Sequence, residues 1–244
     1  MQMPKPKIIF SDRWILVINK PSGLVVNRAE TVKGKTLQDW VEENNQISKS
    51  VNNRIIEDRD FVSRSGVVHR LDKDTSGIMV VAKTPQAFTE LQRQFKDRQV
   101  IKKYLALAHG RLKPKKGDIK LPLARNPQNR KKFVVRLKGK MALTYYQVLN
   151  YWQKGEWFSF LELKPKTGRT HQLRVHLSHL GHPIVADPIY LGRKRLIGDR
   201  QWCSRLFLHA QFLSFIHPQC GQRVQFSLDL PEELRKIMPQ DERR

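Results

Sequence analysis

The chain has 244 residues and only two cysteines, Cys203 and Cys220. They share no CxxC spacing and sit in no regular cysteine framework, which argues against a disulfide-stapled scaffold. Long apolar runs are missing as well. The longest, residues 14–18 and 78–82, hold five residues each, against the roughly 20 needed to span a bilayer. The N-terminus carries no apolar stretch of signal-peptide length. These absences predict a soluble, cytoplasmic protein with no membrane segment. Acidic residues are also scarce. Against 46 Lys+Arg stand 22 Asp+Glu, a formal net charge of +24. An excess of this size is the footprint of a polyanionic partner, nucleic acid or an anionic membrane surface.

What is present shows that a folded body carries this charge. Hydrophobic residues make up 39% of the chain, with 5 Trp, 5 Tyr and 11 Phe, too many for a disordered basic tail. The charge is also unevenly placed. Residues 28–60 have a net charge of −1, whereas residues 98–140 carry fifteen Lys/Arg and one acid, Asp118, a net of +14. An apolar alternation, Lys103-Tyr104-Leu105-Ala106-Leu107-Ala108, runs through that basic stretch and predicts strands with a charged surface.

Periodicity and Gly/Pro/Asn punctuation predict strands over residues 14–19, 77–83, 102–109, 130–137, 143–151, 157–163, 210–215 and 223–227. Helices are predicted over 36–44, 84–95, 170–180 and 231–238, the second opened by Thr84 as N-cap with Pro85 at the first helical position. Short turns between strand pairs imply an α+β fold with a mixed, mainly antiparallel sheet and flanking helices. The polar stretch 42–60 is the best candidate for a long, mobile insertion, with a short helix as the equal alternative.

Several chemical motifs fail on their spacing. Gly34-Lys35-Thr36 ends like a phosphate-binding loop, but Ala29 stands where the first glycine is required, so no nucleotide cofactor is expected. Asp72-Lys73-Asp74-Thr75-Ser76-Gly77 opens like a calcium loop, yet Lys83 stands at the twelfth position, where a bidentate Glu should close it. His171, His176, His179 and His182 invite a metal reading, but no HExxH pattern completes it and Arg174 would set a positive charge beside the ion. No metal is expected.

Two segments remain. In residues 67–83, Asp72 stands between Arg70 and Lys73 in a turn that leads into a buried strand, where catalytic groups are commonly placed on rigid scaffolds; an Asp that merely caps its turn is the plainer alternative. In Lys164-Pro165-Lys166-Thr167-Gly168-Arg169-Thr170-His171-Gln172-Leu173-Arg174-Val175-His176, Thr170 is the expected N-cap. Leu173, Leu177 and Leu180 form the expected core stripe, with Arg174 on another face. The helix start and Arg169 together suit a phosphate.

The strings HRLDKDTSGIMVVAK, KKYLALAHG, TGRTHQLRVHLSHLGHPIVADPIY and RLFLHAQFLSFIHP, in that order, resemble the motifs of the RluA family of RNA pseudouridine synthases. The resemblance runs from about residue 14 to 226. It implies the pseudouridine synthase fold with an RNA-binding cleft, one catalytic domain over residues 1–244, and no separate S4-like N-terminal RNA-binding domain. The implied reaction is isomerisation of uridine to pseudouridine in ribosomal or transfer RNA by an enzyme that uses base flipping and needs no cofactor.

By the same resemblance Asp72 is the catalytic carboxylate, acting as a nucleophile or by removing the C2′ proton to give a glycal. Arg174 is its expected ion-pair partner, and Tyr104 the residue expected to stack on the base and take the C5 proton. Arg70 is expected to fill the space left by the flipped base or to hold a neighbouring phosphate. Lys102, Lys103, Arg169 and His171 are the expected RNA contacts. The family often has Gly-Asp where this chain has Ala186-Asp187, a departure expected to touch the local turn but no catalytic role. A monomer is the default. The rival readings are a catalytically silent RNA-binding or assembly protein on the same fold and a metal-dependent hydrolase built on the histidines.

Overall fold

The computed structural model describes residues 5–44, 50–51, 54–55 and 58–239, and the chain folds as two compact units. The first comprises Met1–Ile101 and Phe212–Leu228; the second comprises Lys102–Gln211 and Asp229–Arg244. Elements are numbered in chain order.

In the first unit β1 (Lys7–Ser11), β2 (Ile15–Lys20) and β5 (Ser76–Ala82) are consecutive antiparallel neighbours, with Ile15 opposite Ala82 and Lys20 opposite Gly77. Ile15 to Ile18 and Ile78 to Ala82 are almost entirely buried. That explains why both read as unbroken apolar runs instead of the alternation of a half-exposed strand. Helix α1 (Leu37–Glu43) opens on a capping box. The Asp39 carboxylate accepts from the Thr36 N–H at 2.7 Å, and Thr36 Oγ1 accepts from the Asp39 N–H at 3.3 Å. Two short strands follow, β3 (Ser50–Val51) and β4 (Arg54–Ile55), which pair antiparallel, and then α2 (Arg59–Ser63), capped by Asp58. The expected insertion at 42–60 thus begins inside α1 and takes in β3, β4 and the start of α2, while residues 45–49, 52–53 and 56–57 lie outside the described ones. Helix α3 (Pro85–Lys96) has Thr84 as N-cap, as the sequence predicts.

The second unit orders its strands β6 (Ile101–His109), β10 (Glu156–Pro165), β9 (Lys140–Lys154), β7 (Lys116–Arg125) and β8 (Phe133–Val135), each antiparallel to the next. Gly155 at φ 72° makes the turn that joins β9 to β10, a left-handed conformation that glycine adopts without steric cost. Helices α4 (Gln172–His179), α5 (Arg193–Arg200) and α6 (Glu232–Arg235) complete this unit. Leu173, Leu177, Phe207 and Leu234 pack with Leu105 to Ala108 and with Phe158, Phe160, Leu161 and Leu163 in one apolar core. Burying each such large side chain stabilises the fold by about 1.5–3 kcal/mol. Leu180 departs from the expected stripe: α4 ends at His179, Gly181 turns the chain at φ 81°, and Leu180 is 40% exposed.

Strand β11 (Leu208–Ile216) pairs through its second half with β12 (Arg223–Ser227), Phe212 opposite Ser227 and Ile216 opposite Arg223. The predicted mainly antiparallel α+β class is the one observed. Strands β1, β3, β4 and β7 and helix α5 were not anticipated, and α2 begins within the stretch 42–60 where a short helix was the alternative to an insertion. In β7 the alternation Ile119, Leu121, Leu123 is interrupted by Pro122, and α5 reads Arg-Lys-Arg-Leu-Ile-Gly-Asp-Arg, with no apolar stripe.

Candidate active site

In the first unit Asp72 opens the turn before β5, the Thr75 N–H donating back to the Asp72 carbonyl at 3.1 Å. Leu71, on its N-terminal side, is buried, and Asp72 itself is half-buried. His69 Nε2 accepts from the Val80 N–H at 3.1 Å, and its ring stacks on Phe95 with centroids 4.5 Å apart. The start of the motif is thereby pinned to β5 and α3, while Arg70 stays exposed.

The other side of the turn is held by a residue that the sequence reading passed over. Lys20, fully buried, donates from Nζ to three carbonyls: Pro21 at 2.8 Å, Leu24 at 2.9 Å and Lys73 at 3.1 Å. Burying an ammonium group is costly unless its donors are satisfied. Here the satisfied donors tie the end of β2 to the residue after Asp72. The Gly23 N–H adds a bond to the Lys73 carbonyl at 2.8 Å, and Ser22 Oγ one to the Asp74 carbonyl at 2.8 Å. The available signal was a lysine ending a buried strand, followed by Pro-Ser-Gly.

In the second unit Tyr104 lies on β6 opposite Leu163 of β10, partly buried against the apolar core. Strand alternation places Lys102 on the Tyr104 face and Lys103 on the other. Lys103 bonds Glu162 on the neighbouring strand at 3.0 Å. Of the two expected RNA contacts on β6, Lys102 thus shares the Tyr104 face and Lys103 is engaged by Glu162 on the opposite one. Lys102 Nζ approaches Gly168, 3.9 Å from where a β-carbon would stand. Burial pushes its ammonium down to about 8.

The loop carrying Arg169 is organised by Gln172, another unanticipated residue. Its Oε1 accepts from Thr167 Oγ1 at 2.6 Å and the Arg169 N–H at 3.1 Å, while Nε2 donates to the Leu143 carbonyl at 3.0 Å and Thr144 Oγ1 at 2.9 Å. Thr170 is not the N-cap. That position falls to His171, which sits at φ 55° and caps with no side-chain bond. With Gln172 binding the preceding loop, the turn shifts one residue along. Arg169 is exposed. His171 Nδ1 lies 2.9 Å from Tyr190 Oη, which also accepts from the Phe133 N–H at 3.0 Å.

Arg174 is 2% exposed and forms a two-point ion pair with the fully buried Asp187: Nε to Oδ2 at 2.8 Å and Nη2 to Oδ1 at 2.7 Å. Its guanidinium carbon also sits 5.2 Å from the Tyr190 ring centroid. Asp187 is fixed in turn, its Oδ1 accepting from the N–H groups of Ile189 at 2.8 Å and Tyr190 at 3.1 Å. The residue before it, Ala186, stands at φ 55°. Glycine would suit that conformation better, but the Ala186 N–H is held by Asp199 Oδ2 at 2.7 Å. The departure at Ala186 thus falls in the turn itself, next to the unchanged Asp187 that orients Arg174. Bidentate Arg–carboxylate pairs are among the strongest and most directional polar contacts.

Of the other clustered histidines, His179 is exposed and two are hydrogen-bonded. His176 Nδ1 lies 3.0 Å from Thr144 Oγ1, and His182 Nδ1 lies 2.8 Å from the His109 carbonyl. Among the described residues no group of three His, Cys, Asp or Glu is placed to hold a metal ion, and no helix is long and apolar enough to cross a membrane.

Comparison with known proteins fits these features. Residues 14–179 match the family model described as RNA pseudouridylate synthase. The chain is 39% identical over 241 residues to ribosomal large subunit pseudouridine synthase D of Xanthomonas campestris pv. campestris, covering 95% of this chain and 68% of that protein. It is 38% identical to the protein of the same name from Pseudomonas aeruginosa, covering 96% and 72%. The solved structure titled human RNA pseudouridylate synthase domain containing 1 superposes with a TM-score of 0.71 at 28% identity, over 97% of this chain and 90% of that one. A turn built around Asp72, a strand tyrosine and a buried, oriented arginine thus occur in a chain that belongs to the RNA pseudouridylate synthase family and is an RNA-modifying isomerase.

Proposed function

We propose that this enzyme isomerises uridine in large-subunit ribosomal RNA, with Asp72, Tyr104 and Arg174 as its reacting group and that group's partners. The substrate assignment rests on the names of its relatives. The residue assignment rests on one observation above the others, the buried Arg174 fixed by Asp187. A guanidinium oriented at this depth is suited to hold a second anionic group in place, and the carboxylate of Asp72 is the group that the reaction requires.

The chemistry balances without an added reagent. The N1–C1′ bond breaks, the base turns while bound, C5 bonds to C1′, the C5 proton leaves and N1 gains a proton. Asp72 acts on C1′ as nucleophile or on the C2′ proton as base, and both routes need it ionised. An arginine beside it favours that state. Tyr104 stacks on the uracil and receives the C5 proton. The target base leaves its stack at a cost of a few kcal/mol, with Arg70 taking its place or holding a phosphate. Lys102, Arg169 and His171 are assigned to the RNA backbone. The enzyme works as a monomer in the cytoplasm.

The deciding experiment incubates the protein, with EDTA present, with unmodified ribosomal RNA tritiated at uridine C5 and counts tritium released to water. Release that is lost in Asp72→Asn with RNA binding retained supports the proposal. No release by the wild-type chain from ribosomal or transfer RNA would overturn it in favour of a silent RNA-binding protein.

A further inference from the structure

A second basic surface lies within the second unit, built from residues to which the reaction assigns no task. It is a cleft of about 990 Å³ between the β9–β10 turn and the segment that runs through α5. Lys154, Arg193, Lys194 and Arg195 line it, all exposed. Two carboxylates share the lining. Asp199 is buried and engaged by His109 Nε2 at 2.9 Å and the Ala186 N–H at 2.7 Å. Glu156 lies 3.2 Å from His109 Nδ1 and 3.7 Å from Arg195 Nη2. Four cations thus face the cleft against one exposed carboxylate.

Two further features suit this cleft to a nucleic-acid backbone. Lys154 is not a freely moving charge, because its Nζ sits 4.7 Å from the centroid of Trp202, which also lines the cleft. Such a cation–π contact holds the ammonium in place before any ligand arrives. Gly181, Gly192 and Gly198 line the same cleft, and a β-carbon on any of them would meet nothing within 4 Å. These stretches of wall are bare backbone open to close approach. A groove that combines fixed cations with aromatic side chains is the usual surface for single-stranded nucleic acid. Tyr190 joins it to the Arg174 cluster, since it lines the cleft while its ring abuts the Arg174 guanidinium and its hydroxyl abuts His171.

We propose that this cleft is a second RNA-binding surface, holding the backbone of a single-stranded stretch of the substrate that flanks the modified uridine. Lys154, Arg193, Lys194 and Arg195 neutralise its phosphates. The identification of the occupant as substrate rests on the function proposed above, whereas the identification of the cleft as an RNA surface rests on its own charge and lining.

The test measures binding of a fluorescently labelled single-stranded oligouridine to the full chain over a range of salt concentrations. It compares wild type with the triple variant Arg193→Gln/Lys194→Gln/Arg195→Gln. All three residues are exposed, so the variant is expected to keep its thermal midpoint. Its affinity should fall roughly tenfold or more, and the slope of log affinity against log salt should become shallower by about 2, the loss of three single-strand phosphate contacts. A control with equal loss of charge, Lys33→Gln/Lys35→Gln/Lys96→Gln, should keep most of the affinity. Photo-crosslinks from 4-thiouridine RNA should map to Lys154 or to residues 190–202. Wild-type affinity and slope in the triple variant would overturn the proposal and leave the cleft to a protein partner. An equal loss in the control would also overturn it, by reducing the effect to overall charge. Because binding is read without turnover, failure of the tritium assay would remove the proposed function and leave this result intact.

Discussion

Arg174 and Asp187 face each other as a buried two-point ion pair, with Nε and Nη2 of one on Oδ2 and Oδ1 of the other. The arginine assigned to the reaction is therefore held by an acid thirteen residues further along, whose own position is fixed by two backbone N–H groups. Asp187 thereby sets the direction in which Arg174 points, a positioning role in the proposed reaction.

Removing that acid separates the two roles. Asp187→Ala leaves a buried guanidinium uncompensated and should destabilise the fold by about 3–5 kcal/mol, a fall in thermal midpoint of about 10 °C or more for a chain of this size. Asp187→Asn keeps the volume and one acceptor. It should stay folded while turnover in the tritium assay falls about 10²-fold through misorientation, with RNA affinity little changed. Wild-type turnover in Asp187→Asn would refute the positioning role.

The Lys20 ammonium anchors the turn that opens with Asp72. In Lys20→Met the carbonyls of Pro21 and Leu24 lose the ammonium donor and that of Lys73 keeps only the Gly23 N–H, and an unsatisfied buried polar group costs about 1–3 kcal/mol. Amide hydrogen exchange at residues 72–76 should accelerate more than at residues 15–18, and the thermal midpoint should fall. Unchanged exchange at the turn would show that the other bonds suffice to hold it.

Lys102 gives the stability of the chain a signature at alkaline pH. Its folded value, lowered by burial to about 8, lies below the ordinary 10.5. Between those limits the unfolded chain binds more protons, so stability should rise as the pH increases from about 8 to 10.5. Lys102→Met should remove that rise. In the same range the folded protein loses this cation, so RNA affinity of the wild type should fall in a step that the variant lacks. A parallel pH profile for the two proteins would contradict both expectations.

His176 supplies the acidic counterpart. Burial lowers it to about 4 from the ordinary 6.5, so the unfolded chain binds the proton first as the pH falls. Stability should therefore decline as pH drops from 6.5 towards 4, by on the order of 3 kcal/mol over the whole interval. In denaturant titrations His176→Gln should flatten this slope, even if it lowers stability at neutral pH. An unchanged slope would move the acid sensitivity elsewhere.

Much of the local structure was legible in the chain. Thr36 and Thr84 start α1 and α3 as expected because N-capping depends on a side chain and a backbone N–H within one turn. The runs at 15–18 and 78–82 are buried strands because a sequence with no polar alternation has no solvent face to offer. The motif strings carried the family. The α4 cap was misread because Gln172 reaches Thr167, Arg169, Leu143 and Thr144, and two of these belong to a strand that ends before the helix loop begins.

Composition, periodicity and motif order by themselves determined the fold class, the family and the residues on which the chemistry is proposed to rest. All of these are written in local spacing or in strings that survive without neighbours. Tertiary structure alone decided which groups support them. Lys20 reaches Lys73 across 53 positions, Asp187 takes Arg174, Lys103 turns away to Glu162, and Lys154 meets α5 residues around one cleft. Such pairings depend on strand register and on the path of loops through space, and the buried ones, at Lys20 and at Arg174, persist because an unmatched buried charge is costly. The +24 surplus was visible from the start; the gathering of Lys154, Arg193, Lys194 and Arg195 at a cleft that Tyr190 also lines was not.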